Sequence, residues 1–272
     1  MQEYQGYQKI SVHIEDKVGR VLFSDNPPDN FFTLELMEEF SDVLDKFQTD
    51  NRVRCVLFTH EGPDLCHSAG PAEAEYLEQK GVSAEEMAEH FNTLGGKLLS
   101  RIIHYPKPTV IAATGVAIGA GAAFYECFDI RLAGESFNYF DVDIYWGAAS
   151  TWGLMTTYLP LWLGRNKFLD FLYFGEHFTA RQLFDLGMVS RVYADPDLRP
   201  AAIEFSKRLA QASPLVIEAY KERMKDVLYG GHLDEWRQKE MEAGIRLNNT
   251  QDGKNAIEYG LKGEQPPEFL GY

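Results

Sequence analysis

Basic residues are scarce in this chain: 26 lysines and arginines stand against 41 aspartates and glutamates, a formal net charge of −15. Nucleic-acid binding needs a basic face, so no nucleic-acid partner is expected. The same imbalance gives little long-range steering toward an anionic substrate, and any phosphate contact has to come from local lysines and backbone amides. Long apolar runs are also missing, and no stretch reaches the length that spans a bilayer. The first residues, MQEYQGYQKISVHIED, are polar and acidic, unlike a signal peptide, so the expected compartment is the cytoplasm, with no membrane partner. Cysteine is sparse. Cys55, Cys66 and Cys127 are odd in number and form no CxxC pair, which favours reduced thiols over a disulfide framework or a zinc site; no metal is expected.

The remaining composition, 45% apolar and 25% charged, is that of a globular protein, and 272 residues suffice for one large core with or without a small appendage. Alternating apolar residues predict paired strands over 10–14 and 18–23. Leu34, Met37, Phe40, Val43, Leu44 and Phe47 fall at helical spacing behind Thr33, which predicts a helix over 33–47. Further strands are expected over 53–59, 109–114 and 129–133, and helices over 84–103, 154–163, 200–212, 215–229 and 233–247. Alternation of strand and helix points to an α/β layered fold.

The most informative stretch is KPTVIAATGVAIGAGAAFYECFDIRLAGESFNYFDVD, residues 107–143, where a β-rich apolar run meets a glycine-rich bend and then a helix expected over 122–128. Glycine reaches positive φ freely and lets a ligand approach the backbone closely, which applies to Gly115, Gly119 and Gly121. N–H groups left unpaired where the helix starts favour negative charge. Two readings stand: a close-packed strand-to-helix turn, or a backbone that aims N–H groups at the oxygen of an activated carbonyl.

This stretch resembles the central signature of the enoyl-CoA hydratase/isomerase family, the crotonase superfamily. Lys107, Pro108, Ala112, Gly115, Ala117, Gly119, Gly121, Asp129, Ile130 and Ala133 fall on that signature without gaps, and Tyr139 stands where it has phenylalanine. A second match lies in GRNKFLDFLYFGEHFTARQLFDLGMVSRVY, with Gly164, Gly175, Ala180, Leu183, Gly187, Val189 and Val192 in register. The tail GLKGEQPPEF is similar to the family's ending, so the resemblance runs in order from about Ile10 to Phe269. It implies a crotonase-like spiral of ββα units over 1–197 and a helical region over 198–272 that trimerises and covers the active site. A homotrimer or homohexamer is therefore expected. The implied substrate is an acyl-CoA, with coenzyme A part of the substrate and no tightly bound cofactor.

In that family two backbone N–H groups stabilise a thioester enolate, since fixed donors in a dry site act strongly where charge develops. By the central match one donor is the N–H of Ala120, next to Gly119; alanine replaces the usual glycine, which requires a negative φ or compensated strain. The other donor comes from a loop that reads GPDLCHSAGPAE here, residues 62–73. Without a gap, His67 and Ser68 replace the loop's Ala-Gly; with two inserted residues, Ala69 and Gly70 recover it, so His67 and Ala69 are both candidates. His67 would also bring an imidazole to the substrate, or else is a surface-loop histidine. The acid that usually follows is absent.

A hydratase of this family places its water with two glutamates. The first position is Ala123 here, and the second is Asp143. A single acid still suffices to carry a proton between two carbons of one bound substrate, so the resemblance implies isomerase-like or specialised hydratase/isomerase chemistry with Asp143 as acid/base; helix capping is the bland alternative. Glu126 lies one turn past Ala123, about 5 Å farther along the axis, and is expected to be structural. Asp141 shares a face with Asp143 if the backbone is extended, and two neighbouring carboxylates raise one pKa. Tyr145, as a hydrogen-bond donor, and Trp152 are expected to line an acyl pocket, against the alternative of core or trimer contact. Lys262 and Lys221 are candidates for phosphate contacts, or are solvated.

Three function classes follow. The first is the acyl-CoA enzyme. The second is a CoA-independent hydrolase of a β-diketone carbon–carbon bond, suggested by His67 and the altered loop but opposed by the lack of any histidine between His104 and His177. The third is a binding paralogue without chemistry.

Overall fold

The computed structural model describes residues 2–24, 30–68, 84–147, 152, 155–230, 232–261, 264 and 269–270. Strands β1 (Gln2–Tyr4), β2 (Ile10–Glu15) and β3 (Val18–Phe23) open the chain. As the alternation predicts, β2 and β3 pair antiparallel, and Asp16 and Lys17 form the turn between them at φ 49° and 69°. Positive φ at both central residues matches the twist of the paired strands. Helix α1 (Leu34–Thr49) begins at Thr33, whose hydroxyl accepts the Leu36 N–H at 3.2 Å. Its buried face carries Leu36, Met37, Phe40, Val43, Leu44 and Phe47, the spacing of one helical stripe.

Next come β4 (Cys55–His60), α2 (Ala84–Ile103), β5 (Thr109–Ala113), β6 (Val116–Ile118), α3 (Ala120–Glu126), β7 (Ile130–Gly134) and β8 (Asn138–Phe140). They are followed by α4 (Met155–Phe174), β9 (Phe178–Thr179), α5 (Ala180–Asp185), β10 (Arg191–Tyr193) and α6 (Asp195–Leu209). The C-terminal helices are α7 (Pro214–Tyr229), α8 (Leu233–Asn248) and α9 (Gln251–Leu261). The main sheet has seven strands in the order β1-β2-β3-β4-β5-β7-β10, parallel from β3 onward. Strands β4 and β5 are buried throughout, which is why they read as continuous apolar runs rather than as alternations. Among the described residues no helix is long and apolar enough to cross a membrane.

The structure departs from the sequence reading in several places: β1, β8, β9, α5 and β10 had no expected counterpart, and the helix expected over 122–128 runs over Ala120–Glu126. The glycine-rich bend contains a strand: β6 pairs parallel with β8, and β8 antiparallel with β9, in a second sheet of three strands. Helix α4 continues past its expected end, with Gly164 at φ 70° and ψ 157° breaking it into two segments. Helix α6 starts earlier than expected because Asp195 and Pro196 open it, proline being tolerated in a first turn. Helix α9 had no expected counterpart.

Phe124 of α3 ties the bend to the core. Its ring stacks on Phe40 at 5.3 Å and meets Phe32 and Phe128 edge-on, each at 5.0 Å. A short helix anchored by so large a side chain holds its N-terminal end in a fixed place beside the loop that follows β4.

Candidate active site

Two backbone segments meet at the bend. Cys66 forms a parallel bridge with Ala117 of β6: its N–H donates to the Val116 carbonyl at 3.0 Å, and its carbonyl accepts the Ile118 N–H at 3.1 Å. Glycine is required where the segments touch. A Cβ on Gly121 would lie 2.6 Å from the Cys66 Cβ, and one on Gly119 would lie 2.6 Å from Ser68 Oγ. Gly119 also has φ 53° and ψ −116°, a conformation that side chains rarely permit, and it caps α3. Ala120 is the first helical residue and lies outside the positive-φ region, so its methyl group costs nothing there. The Ala120 N–H donates to Ser68 Oγ at 3.3 Å.

Asp143 approaches the same spot. Its Oδ1 lies 3.6 Å from where a Gly119 Cβ would stand, and among the described residues no hydrogen bond engages its carboxylate. It opens a 3₁₀ turn, Asp143–Trp146, whose end is Gly147 at φ 68°. The preceding Val142 has φ −128° and ψ 9°, so this backbone is not extended and the two aspartates do not share a strand face. Instead Asp141 accepts the Asp143 N–H on Oδ1 at 2.9 Å and thereby fixes the turn. Asp141 is 1% exposed, and its Oδ2 has no hydrogen-bond partner among the described residues. Burial raises both carboxyl groups above the ordinary carboxylate range, and the Asp143 charge raises Asp141 further.

His67 is corrected as a backbone donor. Its N–H donates to the Asn30 carbonyl at 2.7 Å, and its ring Nε2 lies 3.1 Å from Asp64 Oδ2. Ala69, the other candidate, lies outside the described residues, as does Lys262. Asn30, which the sequence reading overlooked, organises the loop: its side-chain amide donates to the Glu61 carbonyl at 2.7 Å and the Asp64 carbonyl at 2.8 Å, and it is fully buried. Its signal was faint, an asparagine ending a turn-like Pro-Pro-Asp-Asn run.

Three other expected pocket residues turn out to be engaged elsewhere. Tyr145 donates its hydroxyl to the Tyr173 carbonyl at 2.7 Å, so that group is not offered to a substrate. Trp152 is buried against Phe32 and Phe91, with ring centroids 5.3 and 5.4 Å away, and fills core space. Lys221 pairs with Asp129 and donates to the Lys107 carbonyl at 3.2 Å.

Ala123 faces the core, so a methyl group stands at the first glutamate position of the family. Glu126 is structural, as expected: it is 1% exposed, and Tyr139 donates its hydroxyl to Oε1. Burial raises its carboxyl well above the usual value, and Asp141 and Glu240 add to the rise. The nearby Arg131 opposes this, but its guanidinium donates to the carbonyls of Met188, Glu126 and Phe128. Among the described residues no three His, Cys, Asp or Glu side chains gather in a way that would hold a metal ion.

Known proteins share this arrangement of elements. The chain is 29% identical over 271 residues to a probable enoyl-CoA hydratase of Bacillus subtilis (strain 168), covering 96% of this chain and 98% of that protein. It is 26% identical over 216 residues to a crotonyl-CoA hydratase of Syntrophomonas wolfei, covering 79% and 80%. It superposes on the crystal structure of an enoyl-CoA hydratase/isomerase from Xanthobacter autotrophicus Py2 with a TM-score of 0.83 at 18% identity, over 95% of this chain and 96% of that one. The enoyl-CoA hydratase/isomerase family pattern itself matches residues 13–265, from β2 past the end of α9, and so takes in both segments that meet at Gly119. On that match the chain belongs to the enoyl-CoA hydratase/isomerase family of the crotonase superfamily, and its α/β architecture is the crotonase fold.

Proposed function

We propose that this chain acts on an acyl-CoA thioester and moves a double bond by carrying one proton between two carbons of the substrate, with Asp143 as the carrier. The observation that supports this reading is the approach of the Asp143 carboxylate and the Ala120 N–H to one point beside Gly119. A thioester oxygen next to the Ala120 N–H would bring the adjacent carbon toward Asp143. Asp143 takes a proton from that carbon, and the electron pair moves through the carbonyl onto oxygen, where the fixed N–H stabilises it. Return of the proton to the γ carbon re-forms the thioester carbonyl and leaves the double bond in conjugation. Ala69 is the remaining loop candidate for a second donor.

A carboxyl raised by burial suits this cycle, because it must accept and release a proton with little driving force either way. Hydration is less well served: with a methyl group at Ala123, no second carboxylate stands there to orient water. Nor does His67 support the diketone-hydrolase reading, since its ring is held by Asp64. Helix α7 exposes Leu215, Val216, Tyr220, Met224 and Leu228, an apolar face suited to a further copy of the chain; we assign residues 198–272 to assembly into trimers or paired trimers.

The test is turnover of a 3-enoyl-CoA, followed by the absorbance of the conjugated 2-enoyl product, alongside hydration of a 2-enoyl-CoA. Fast isomerisation with slow hydration is expected. Hydration outpacing isomerisation would remove the single-acid assignment.

A further inference from the structure

We infer that the Ser68 side chain is a further, hydroxyl donor to the oxygen held at Ala120. Ser68 touches one of the two groups on which the proposed reaction depends and, like the other, stands beside Gly119. Its Oγ accepts the Ala120 N–H at 3.3 Å, and both this oxygen and Asp143 Oδ1 lie within 3.6 Å of the point where a Gly119 Cβ would stand. The hydroxyl's own hydrogen has no acceptor among the described residues. A hydroxyl whose proton is unspent is able to donate it to an incoming acceptor.

The backbone supports the same reading. Ser68 has φ 75°, a region where a residue with a side chain is strained. It is held there from both sides: the Ser68 carbonyl accepts the Phe32 N–H at 2.9 Å, and the Asn30 carbonyl fixes the preceding residue. Strain held in place by surrounding bonds is found where a site uses the resulting orientation. Glycine would adopt this conformation without cost but would bring no hydroxyl.

When an acyl oxygen arrives, the long N–H···Oγ contact is given up. The Ala120 N–H, fixed at the helix start, then donates to the incoming oxygen in place of Oγ, and the Ser68 O–H donates to the same atom. No covalent bond forms or breaks at serine. The inference rests on the oxyanion role proposed for Ala120.

Acetoacetyl-CoA, titrated into the purified full-length protein and followed by the absorbance of its enolate, tests both steps separately. Ser68→Ala and Ser68→Gly are each expected to weaken enolate binding about ten- to a hundredfold. Steady-state turnover should lose kcat while KM changes little. Ser68→Gly relieves the backbone strain, so a loss shared by the two variants isolates the hydroxyl from any folding defect. Enolate binding that is equal or tighter in both variants would overturn the inference and make Ser68 a mere occupant of the site. A wild-type protein that binds acetoacetyl-CoA without an enolate band would overturn the Ala120 role itself, and Ser68 with it.

Discussion

Asp143 and Glu126 are both carboxyl groups that burial pushes toward the neutral form, yet they stand on opposite sides of helix α3's function. Glu126 is 1% exposed, with Oε1 on the Tyr139 hydroxyl and Oε2 without a hydrogen-bond partner among the described residues. Among the described residues no hydrogen bond engages the Asp143 carboxylate, and its Oδ1 lies 3.6 Å from where a Gly119 Cβ would stand. A displaced pKa is therefore common here to an acid enclosed in the core and to the proposed proton carrier. What separates them is position: Asp143 stands beside Gly119 and the Ala120–Ser68 contact, whereas Glu126 is enclosed in the core.

The sharpest way to break this contrast is to neutralise each acid in turn. Asp143→Asn is expected to cost about 10²- to 10⁴-fold in kcat for isomerisation, with the fold intact by circular dichroism. Retention of even a tenth of the activity would move the proton carrier elsewhere. Gly119→Ala comes next. A methyl group there would press on Ser68 Oγ from a backbone at φ 53°, so kcat/KM should fall about tenfold or more and stability by about 1 kcal/mol.

Asp141→Asn sharpens the contrast through pH. Asp143 must be ionised to act as a base, so activity should rise as pH climbs through its value, which burial sets above the ordinary carboxylate range. The variant keeps an oxygen for the Asp143 N–H and should lose less than about tenfold in rate, with that rising limb in place. A limb that drops into the ordinary carboxylate range would make the neighbour's charge, rather than burial, the cause.

Glu126→Gln should have the smallest effect on turnover, none that kinetics can resolve. Its effect falls on stability. A carboxyl raised in the folded state contributes stability that is complete below its unfolded value and is lost as pH rises through the folded one. The wild-type melting temperature should therefore fall on the alkaline side, and the variant should flatten that decline. A large loss of activity instead would place Glu126 in the reaction.

Local patterns were readable wherever one chemical cause dominates. Thr33 capping α1, the span of α2, the β2–β3 hairpin and the glycine positions all follow from side-chain type and spacing. Strand β6 escaped because three residues carry too little periodicity, whereas helix α9, eleven residues over Gln251–Leu261, was simply overlooked. The site was half legible. Asp143 and Ala120 could be placed by motif, but whether the His67 N–H points at a substrate depends on Asn30, 37 residues earlier in the chain and visible as a partner only once the loop is folded.

Composition, spacing and the run from Lys107 to Asp143 thus determined the class of protein, its α/β layering and the loss of one acid at Ala123, because each of these is a matter of which residue stands at which position. The tertiary structure decided which groups are spent. It committed the His67 N–H to Asn30, the Tyr145 hydroxyl to Tyr173 and Glu126 to Tyr139, and it brought Ser68 against Ala120. A hydrogen-bonding group has only so many partners to give. Which partner takes it is settled by contacts between segments distant in sequence, and no local pattern encodes those.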